Sequence, residues 1–241
     1  MTHTALVTGG AAGIGAEICR QLLNAGYQVV SLDRAAADFG HERFHEMRVD
    51  LMDADATRDS VDDLVSRFRF SHVVHNVGAI RPALLPVVQP RDLYDLARLH
   101  LGVPLLLVQA VLPAMQDAGF GRIVLISSRA ALGLEARSAY SATKAGIIGL
   151  ARTWALELAA SGITVNVVAP GPIAGTKMFH DVVPAGGERE ARLAASIPMR
   201  RLGRPADVAR AVLFFADPGS GFITGQTLFV CGGSSVGSIT I

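Results

Sequence analysis

The chain has almost no net charge. Its 241 residues carry 22 basic and 21 acidic side chains, a formal charge of +1. That balance gives no electrostatic case for nucleic acid or for an acidic membrane surface. Cysteine is scarce, with only Cys19 and Cys231. Neither has a ligand-like partner at close spacing, so both are expected as ordinary reduced thiols, and a disulfide scaffold is implausible at this length. No cluster of His, Cys, Asp and Glu has metal-ligand spacing, so no metal is expected. The 25 glycines follow no three-residue period, which excludes collagen. The opening Met1-Thr2-His3-Thr4 has no basic stretch and no cleavage-like site, so no signal peptide is expected and the protein is expected to be cytoplasmic. Leu99 to Gln116 lacks Asp, Glu, Lys and Arg, but it contains His100, Pro104, Gln109 and Pro113. A buried core helix is expected there, with no membrane span.

What is present is a folding pattern. Half the residues are apolar and 18% are charged, which suits one sizeable folded domain. Short apolar runs alternate with helix-period segments, and no repeat or linker interrupts them. Strands are expected at Ala5–Val7, Gln28–Asp33, Phe44–Val49, Val73–Val77, Arg122–Ile126, Ile163–Val168 and Thr227–Val230. Helices are expected after Gly13, then over Asp53–Phe70, Arg91–Ala118, Ser138–Ala160 and Pro205–Phe215. A bend in the long third helix is expected at Pro104. Residues 173–204 follow Pro170-Gly171-Pro172 and are mostly aperiodic, with one amphipathic piece at Glu188–Ala195. They are expected to cover a pocket. The pattern predicts a single α/β domain with a mostly parallel, seven-stranded sheet covered by helices on both faces.

The first strand and helix flank a glycine-rich turn. Gly9, Gly13 and Gly15 permit a tight bend and close approach of the backbone to a pyrophosphate at a helix start. Asp33 ends the second strand, where a carboxylate can hydrogen-bond ribose hydroxyls and would repel a 2'-phosphate. No Lys or Arg lies between Thr8 and Ile18 to receive such a phosphate. NAD is therefore expected over NADP, with Arg34 a possible softening influence.

Tyr140 and Lys144 are four residues apart, on one helix face. They follow a strand ending in Ser127-Ser128, at the sheet edge where α/β ligand sites lie. A lysine ammonium near the phenol is expected to favour the phenolate, and a serine hydroxyl can hold a substrate oxygen beside it.

These motifs together resemble the short-chain dehydrogenase/reductase family, in its compact form of about 250 residues with a Rossmann fold. The similarity spans nearly the whole chain. Thr8-Gly9-Gly10-Ala11-Ala12-Gly13-Ile14-Gly15 resembles the cofactor loop, and Asp50-Leu51 the acid-apolar pair near the adenine. His75-Asn76-Val77-Gly78 stands where the family usually has Asn-Asn-Ala-Gly. Tyr140-Ser141-Ala142-Thr143-Lys144 resembles the active-site helix. Asn166, Pro170-Gly171-Pro172-Ile173 and Thr176 resemble the strand and loop on the nicotinamide side. The resemblance implies reversible hydride transfer between NAD(H) and a small-molecule alcohol or carbonyl. It makes Tyr140 the general acid/base. Lys144 binds the nicotinamide ribose and tunes the tyrosine, and Ser128 orients the substrate. Gly9, Gly13, Ile14, Gly15, Asp33, Asp50, Leu51, Asn76, Gly78, Tyr140, Lys144, Pro170, Gly171, Ile173 and Thr176 are the implied cofactor contacts.

Two departures stand out. Ser128 precedes Tyr140 by twelve residues, one short of the common family spacing, and Ser127 has the common count. The asparagine that assists a proton relay in the family is His100 here, which either keeps that relay in altered form or is simply packed. His75, in place of the first asparagine of its motif, is expected to be structural.

Ala174, Met178, Phe179, Val182 and Val183 suggest a partly apolar pocket. Arg81, Lys177, His180, Arg200 and Arg201 are either anion contacts or solvated surface groups. A secondary alcohol, a cyclic diol or a 3-oxoacyl thioester all fit. Residues 219–241 carry no charge and include Phe222, Ile223, Leu228, Phe229, Val230, Ile239 and Ile241. Burial in the core or against another subunit is expected there, and the resemblance implies a homodimer or homotetramer. The competing reading is a non-catalytic dinucleotide-binding regulator or structural subunit on the same fold.

Overall fold

The apolar runs become one sheet in the computed structural model, which describes residues 3–237. The strands are β1 (Thr4–Thr8), β2 (Gln28–Asp33), β3 (Phe44–Arg48), β4 (His72–His75), β5 (Gly121–Ile126), β6 (Ile163–Pro170) and β7 (Thr227–Val230). Their order across the sheet is β3-β2-β1-β4-β5-β6-β7. All six pairings are parallel, so the sheet expected as mostly parallel is wholly so. The chain runs outward from β1 to β3, then returns to place β4 beside β1. That reversal opens a crevice at the carboxyl ends of β1 and β4, where ligands of such sheets bind.

The helices are α1 (Gly13–Asn24), α2 (Ala54–Arg67), α3 (Pro90–Ala97), α4 (Val103–Asp117), α5 (Ser138–Leu158), α6 (Lys177–His180), α7 (Glu188–Ser196) and α8 (Pro205–Ala216). Successive residues of β1 face opposite layers, as strand geometry requires. Ala5 and Val7 pack with Ile18 and Leu22 of α1 and Val208 and Val212 of α8. Leu6 packs on the other face with Leu64 of α2, Leu107 of α4 and Ile147 of α5. α1 and α8 bury a stripe on one face of the central strands, and α2, α4 and α5 on the other.

Three expectations need correction. The fourth strand ends at His75, not Val77, because Asn76 and Val77 donate their amides to the Thr8 hydroxyl instead of to a neighbouring strand. The long helix does not break at Pro104. It widens into a π-turn over Arg98–Gly102, where the Val103 amide reaches back to the Arg98 carbonyl. Pro104 sits in the first turn of α4, where its missing amide costs nothing. Segment 173–204 holds two helices, α6 and α7, where one was expected. Phe222, Leu228 and Val236 of the uncharged C-terminal stretch are exposed on the single chain. Ile239 and Ile241 lie outside the described residues. The α3–α4 segment is long and apolar enough to cross a membrane by length and composition. Here Leu99, Val103, Leu107, Val111 and Met115 pack into the core.

Candidate active site

The glycine turn is built for close approach. Gly9 and Gly13 take positive φ values of 70° and 55°. A Cβ on Gly15 would lie 1.8 Å from the Gly9 carbonyl oxygen, so only glycine lets α1 start there. Ala12 precedes the helix and supplies no side-chain cap, which leaves first-turn amides free for an anion. Asp53 at the start of α2 does the opposite and takes the Asp55 and Ala56 amides itself. The Asn76 amide nitrogen donates to the Thr8 and Gly9 carbonyls at 3.2 and 3.1 Å and holds the turn's shape. Thr176 lies over Gly13, with its methyl 3.3 Å from where a Cβ would stand. The loop after β6 thus folds back onto the glycine turn. Asp33 accepts from the Ala11 and Ala35 amides, each at 3.0 Å, which fixes its carboxylate beside the turn. These features fit a dinucleotide: a cradle without Cβ atoms, open helix amides and a carboxylate fixed beside the turn.

Other implied contacts divide. Ile173 is buried and bridges to Gly203, and Thr176 caps α6 through its hydroxyl. Gly171 runs against Cys231, where a Cβ would meet backbone at 2.9 Å, and Pro170 ends β6 beside it. Ile14 packs on the α1–α8 layer. Asp50 accepts from the Met52 amide, and its neighbour Leu51 is a core residue. Asn166 does not reach the site, because its amide is committed to the Ile223 carbonyl and the Gln226 amide.

The two serines separate clearly. Ser127 is buried and donates to the Lys144 carbonyl at 2.6 Å, tying β5 to α5. Ser128 is half-buried and receives the Ala130 amide at 3.1 Å. Its hydroxyl also acts on the Tyr140 phenol and favours the phenolate. The short Ser128–Tyr140 connection therefore still brings Ser128, not Ser127, to the tyrosine. Part of that connection is strained: Ala136 has φ 57°, unusual for a residue with a side chain.

Lys144 is almost wholly buried. Its Nζ donates to the Ile126 carbonyl at 2.8 Å and lies 5.8 Å from the centre of the Tyr140 ring. Burial pulls the ammonium pKa down to about 7. Tyr140 departs from the expectation of a lowered pKa. By its exposed surface the residue is only half-buried, yet protein crowds the phenol, and desolvation raises its pKa. Ser128 and Arg137 oppose that rise; Lys144 is not among the causes. Arg137 is a contributor that sequence reasoning missed. It stands three residues before Tyr140 at the start of α5, a helical spacing that could have flagged it.

His100 occupies the π-turn. Its ring meets Tyr140 edge-on with centroids 5.7 Å apart. A methyl added at Gly78 would lie 3.3 Å from His100 Nε2 and 3.5 Å from Lys144 Nζ, so Gly78 fits between them. The surface cations are otherwise engaged: Arg81 faces Asp92, Lys177 pairs with Asp181, and Arg201 pairs with Asp207. His180 Nε2 accepts the Gly175 amide. A cavity of about 480 Å³ between α7 and the loop at Arg200–Arg204 contains none of the groups around Tyr140.

Comparison with known proteins agrees with this geometry. Residues 9–235 match a family model described as enoyl-(acyl carrier protein) reductase. The chain is 41% identical to (2S)-[(R)-hydroxy(phenyl)methyl]succinyl-CoA dehydrogenase subunit BbsC of Thauera aromatica, covering 89% of this chain and 84% of the relative. It is 38% identical to acetoacetyl-CoA reductase of Rhizobium meliloti, covering 97% and 98%. The solved structure of ElxO with NADP bound superposes with a TM-score of 0.90 at 28% identity, covering 98% of this chain and all of that one. A nicotinamide dinucleotide is therefore the cofactor class, and hydride transfer the reaction. With both the fold and the matched span in agreement, the chain belongs to the compact short-chain dehydrogenase/reductases, within the family described as enoyl-(acyl carrier protein) reductase.

Proposed function

We propose that the protein is an NAD(H)-dependent oxidoreductase acting on a 3-oxoacyl or 3-hydroxyacyl thioester. The observation that carries it is the convergence of Ser128, Tyr140 and Lys144 above the glycine turn. Both curated relatives described above act, by name, on acyl-CoA thioesters, which supports the substrate class. The Asp33 carboxylate supports NAD: it stands fixed beside the turn, where a 2'-phosphate would be repelled.

The bound dinucleotide would supply or accept the hydride. The chain's residues do the rest. Ser128 holds the substrate oxygen by a hydrogen bond. In the oxidative direction Tyr140 takes the alcohol proton; in reduction it returns one to the carbonyl oxygen. The Lys144 ammonium, anchored on Ile126, keeps hydrogens for the ribose side of the site. Segment 173–204 folds over the turn through Thr176 and forms the cover, with its own Val183 turned inward and buried. Exposed Leu105 on α4, Leu156 on α5 and Phe222 near β7 support assembly as a homodimer or homotetramer in the cytoplasm.

The test is turnover of acetoacetyl-CoA with NADH and with NADPH. A higher kcat/KM with NADH is expected, as is a fall of about 10³-fold or more in Tyr140→Phe. Preference for NADPH would overturn the Asp33 reading. Tight NADH binding with no turnover of any thioester would favour the alternative, a non-catalytic subunit; the name of the BbsC relative, itself a subunit, keeps that reading in view.

A further inference from the structure

The two positions where asparagines were expected are both histidines, and hydrogen-bond directions fix each of them. His100 Nε2 accepts the Ala79 backbone amide at 3.2 Å. An amide can only donate, so Nε2 carries no proton and the neutral ring is protonated at Nδ1. Nδ1 then donates to the Thr143 hydroxyl at 2.8 Å. Thr143 passes its own proton to the carbonyl of Ala139 at 3.0 Å or of Tyr140 at 3.1 Å. No polar atom of His100 is left over.

His75 resolves to the other tautomer. The Thr8 hydroxyl accepts the Asn76 and Val77 amides at 3.0 and 3.1 Å, so its proton goes to His75 Nδ1 at 3.2 Å. His75 must then carry its proton on Nε2. That nitrogen is fully buried without a partner at hydrogen-bond distance, and it faces the Leu99 carbonyl in the π-turn. The π-turn is approached from β4 by His75, without a hydrogen bond between them. Through His100 it grips the Gly78–Ala79 loop on one side and the active-site helix on the other.

We propose that His75 and His100 are a pair of positioning residues: neutral and locked in opposite tautomers, they set the π-turn between β4 and α5, His100 by its hydrogen bonds and His75 by its buried approach, and carry no proton during turnover. This rests on the oxidoreductase reading only for its kinetic consequences. The groups that face the pair are Lys144 and Tyr140 from α5, and each histidine faces the other. β5 adds the Ile126 carbonyl on Lys144. Burial and the nearby ammonium lower both imidazole pKa values, that of His75 to about 3, so both rings stay neutral at working pH. The pair also fills the space beside Lys144 and keeps water from it.

The first measurement uses the full-length protein labelled with ¹⁵N-histidine. Two histidines should show a proton on Nδ1, the less common tautomer: His100, and His180, whose Nε2 accepts the Gly175 amide; the His100 signal should not titrate between about pH 5 and pH 9. Loss of that signal in His100→Asn assigns it. Titration of His100 in that range, or a proton on its Nε2, would overturn the proposal. The second measurement uses the buried hydroxyl. Thr143→Val leaves Nδ1–H without an acceptor, at a cost of a buried unsatisfied donor. The ring then turns and admits water to Lys144. The expected result is a kcat about ten-fold lower, with less change in KM, and a high-pH limb of the kcat profile moved upward as the ammonium is rehydrated. Thr143→Ser keeps the hydroxyl and should restore both. An unchanged limb in Thr143→Val, or no rescue by serine, would sink the positioning role. If the wild-type protein turned over no thioester, the functional reading would fail while the tautomers could still be read.

Discussion

The two edges of the sheet each bury a cation, and they treat it differently. At the amino edge, Arg122 leaves β5 and donates to the carbonyls of Gly121, Gly162 and Pro218, at 2.9, 3.3 and 3.0 Å. Its guanidinium also lies 4.3 Å from the centre of the Phe120 ring. Beside it His72 is equally occupied, with Ser71 on one nitrogen and the Ala216 carbonyl on the other. At the carboxyl edge, Lys144 donates to a single carbonyl and has two ammonium hydrogens to spare. A buried cation whose three nitrogens all donate to carbonyls is a staple. One with donors left over is kept for something that binds. Residue choice follows: guanidinium stays charged, while ammonium shifts readily with burial. Lys144 is one of only two lysines in the chain, the other being exposed Lys177.

Exchanging each cation for methionine breaks that comparison most directly. Lys144→Met should lower kcat/KM for the thioester by more than about 10³-fold while stabilising the fold by roughly 2–4 kcal/mol at pH 6, because a desolvated ammonium is removed. Arg122→Met should do the reverse. It strands several carbonyls and costs roughly 2–3 kcal/mol, with kcat nearly unchanged in the protein that remains folded. Urea unfolding beside steady-state kinetics reads both. A destabilised Lys144→Met would mean that its ammonium is a staple after all.

The histidines sharpen the contrast with pH. Burial lowers the pKa of His72 to about 3. The unfolded chain binds its proton near 6.5, while the folded chain refuses it until about 3, so stability is lost as pH falls through that window. His72→Gln should remove this dependence and reduce the loss between pH 6.5 and 4.5 by roughly 2–3 kcal/mol, measured by urea unfolding at both values. Lys144 acts in the opposite range. Its folded pKa of about 7 lies below its ordinary 10.5, so the cost of burying it fades as pH rises above 7. Any activity that needs the ammonium fades over the same rise.

Much of this was legible beforehand. Strands such as β5 and β6 are buried from end to end and read as continuous apolar runs, and the glycine turn announced α1. Tyr140, Lys144 and Ser128 were placed by spacing and by the end of a strand. What could not be read was anything set by partners distant in sequence. The π-turn depends on what its own His100 and the nearby His75 meet on other elements, and the visible proline pointed to the wrong residue. The lowered Lys144 pKa and the raised Tyr140 pKa come from burial, which spacing does not encode. Arg137 was overlooked because its effect on the phenol depends on how the preceding loop turns.

That loop supplies the smallest test. The amino-edge turns that need positive φ use glycine: Gly119 at 60° and Gly162 at 72°. The carboxyl-edge connection between Ser128 and Tyr140 also uses Gly133 at 104°, but then places Ala136 at 57°. A left-handed alanine costs about 1–2 kcal/mol. Ala136→Gly removes that cost but gives the unfolded chain about 0.4–1 kcal/mol of extra entropy. The net should be stabilisation of under about 1 kcal/mol, read as a small rise in the urea midpoint with an unchanged slope. The Ala136 carbonyl still receives the Ala83 amide at 3.1 Å, so the loop keeps its path. If strain at Ala136 is merely the cost of a shorter loop, kcat will not move. If kcat falls while stability rises, the left-handed alanine is holding Arg137 and Ser128 in register with Tyr140, and this edge of the sheet stores strain for function.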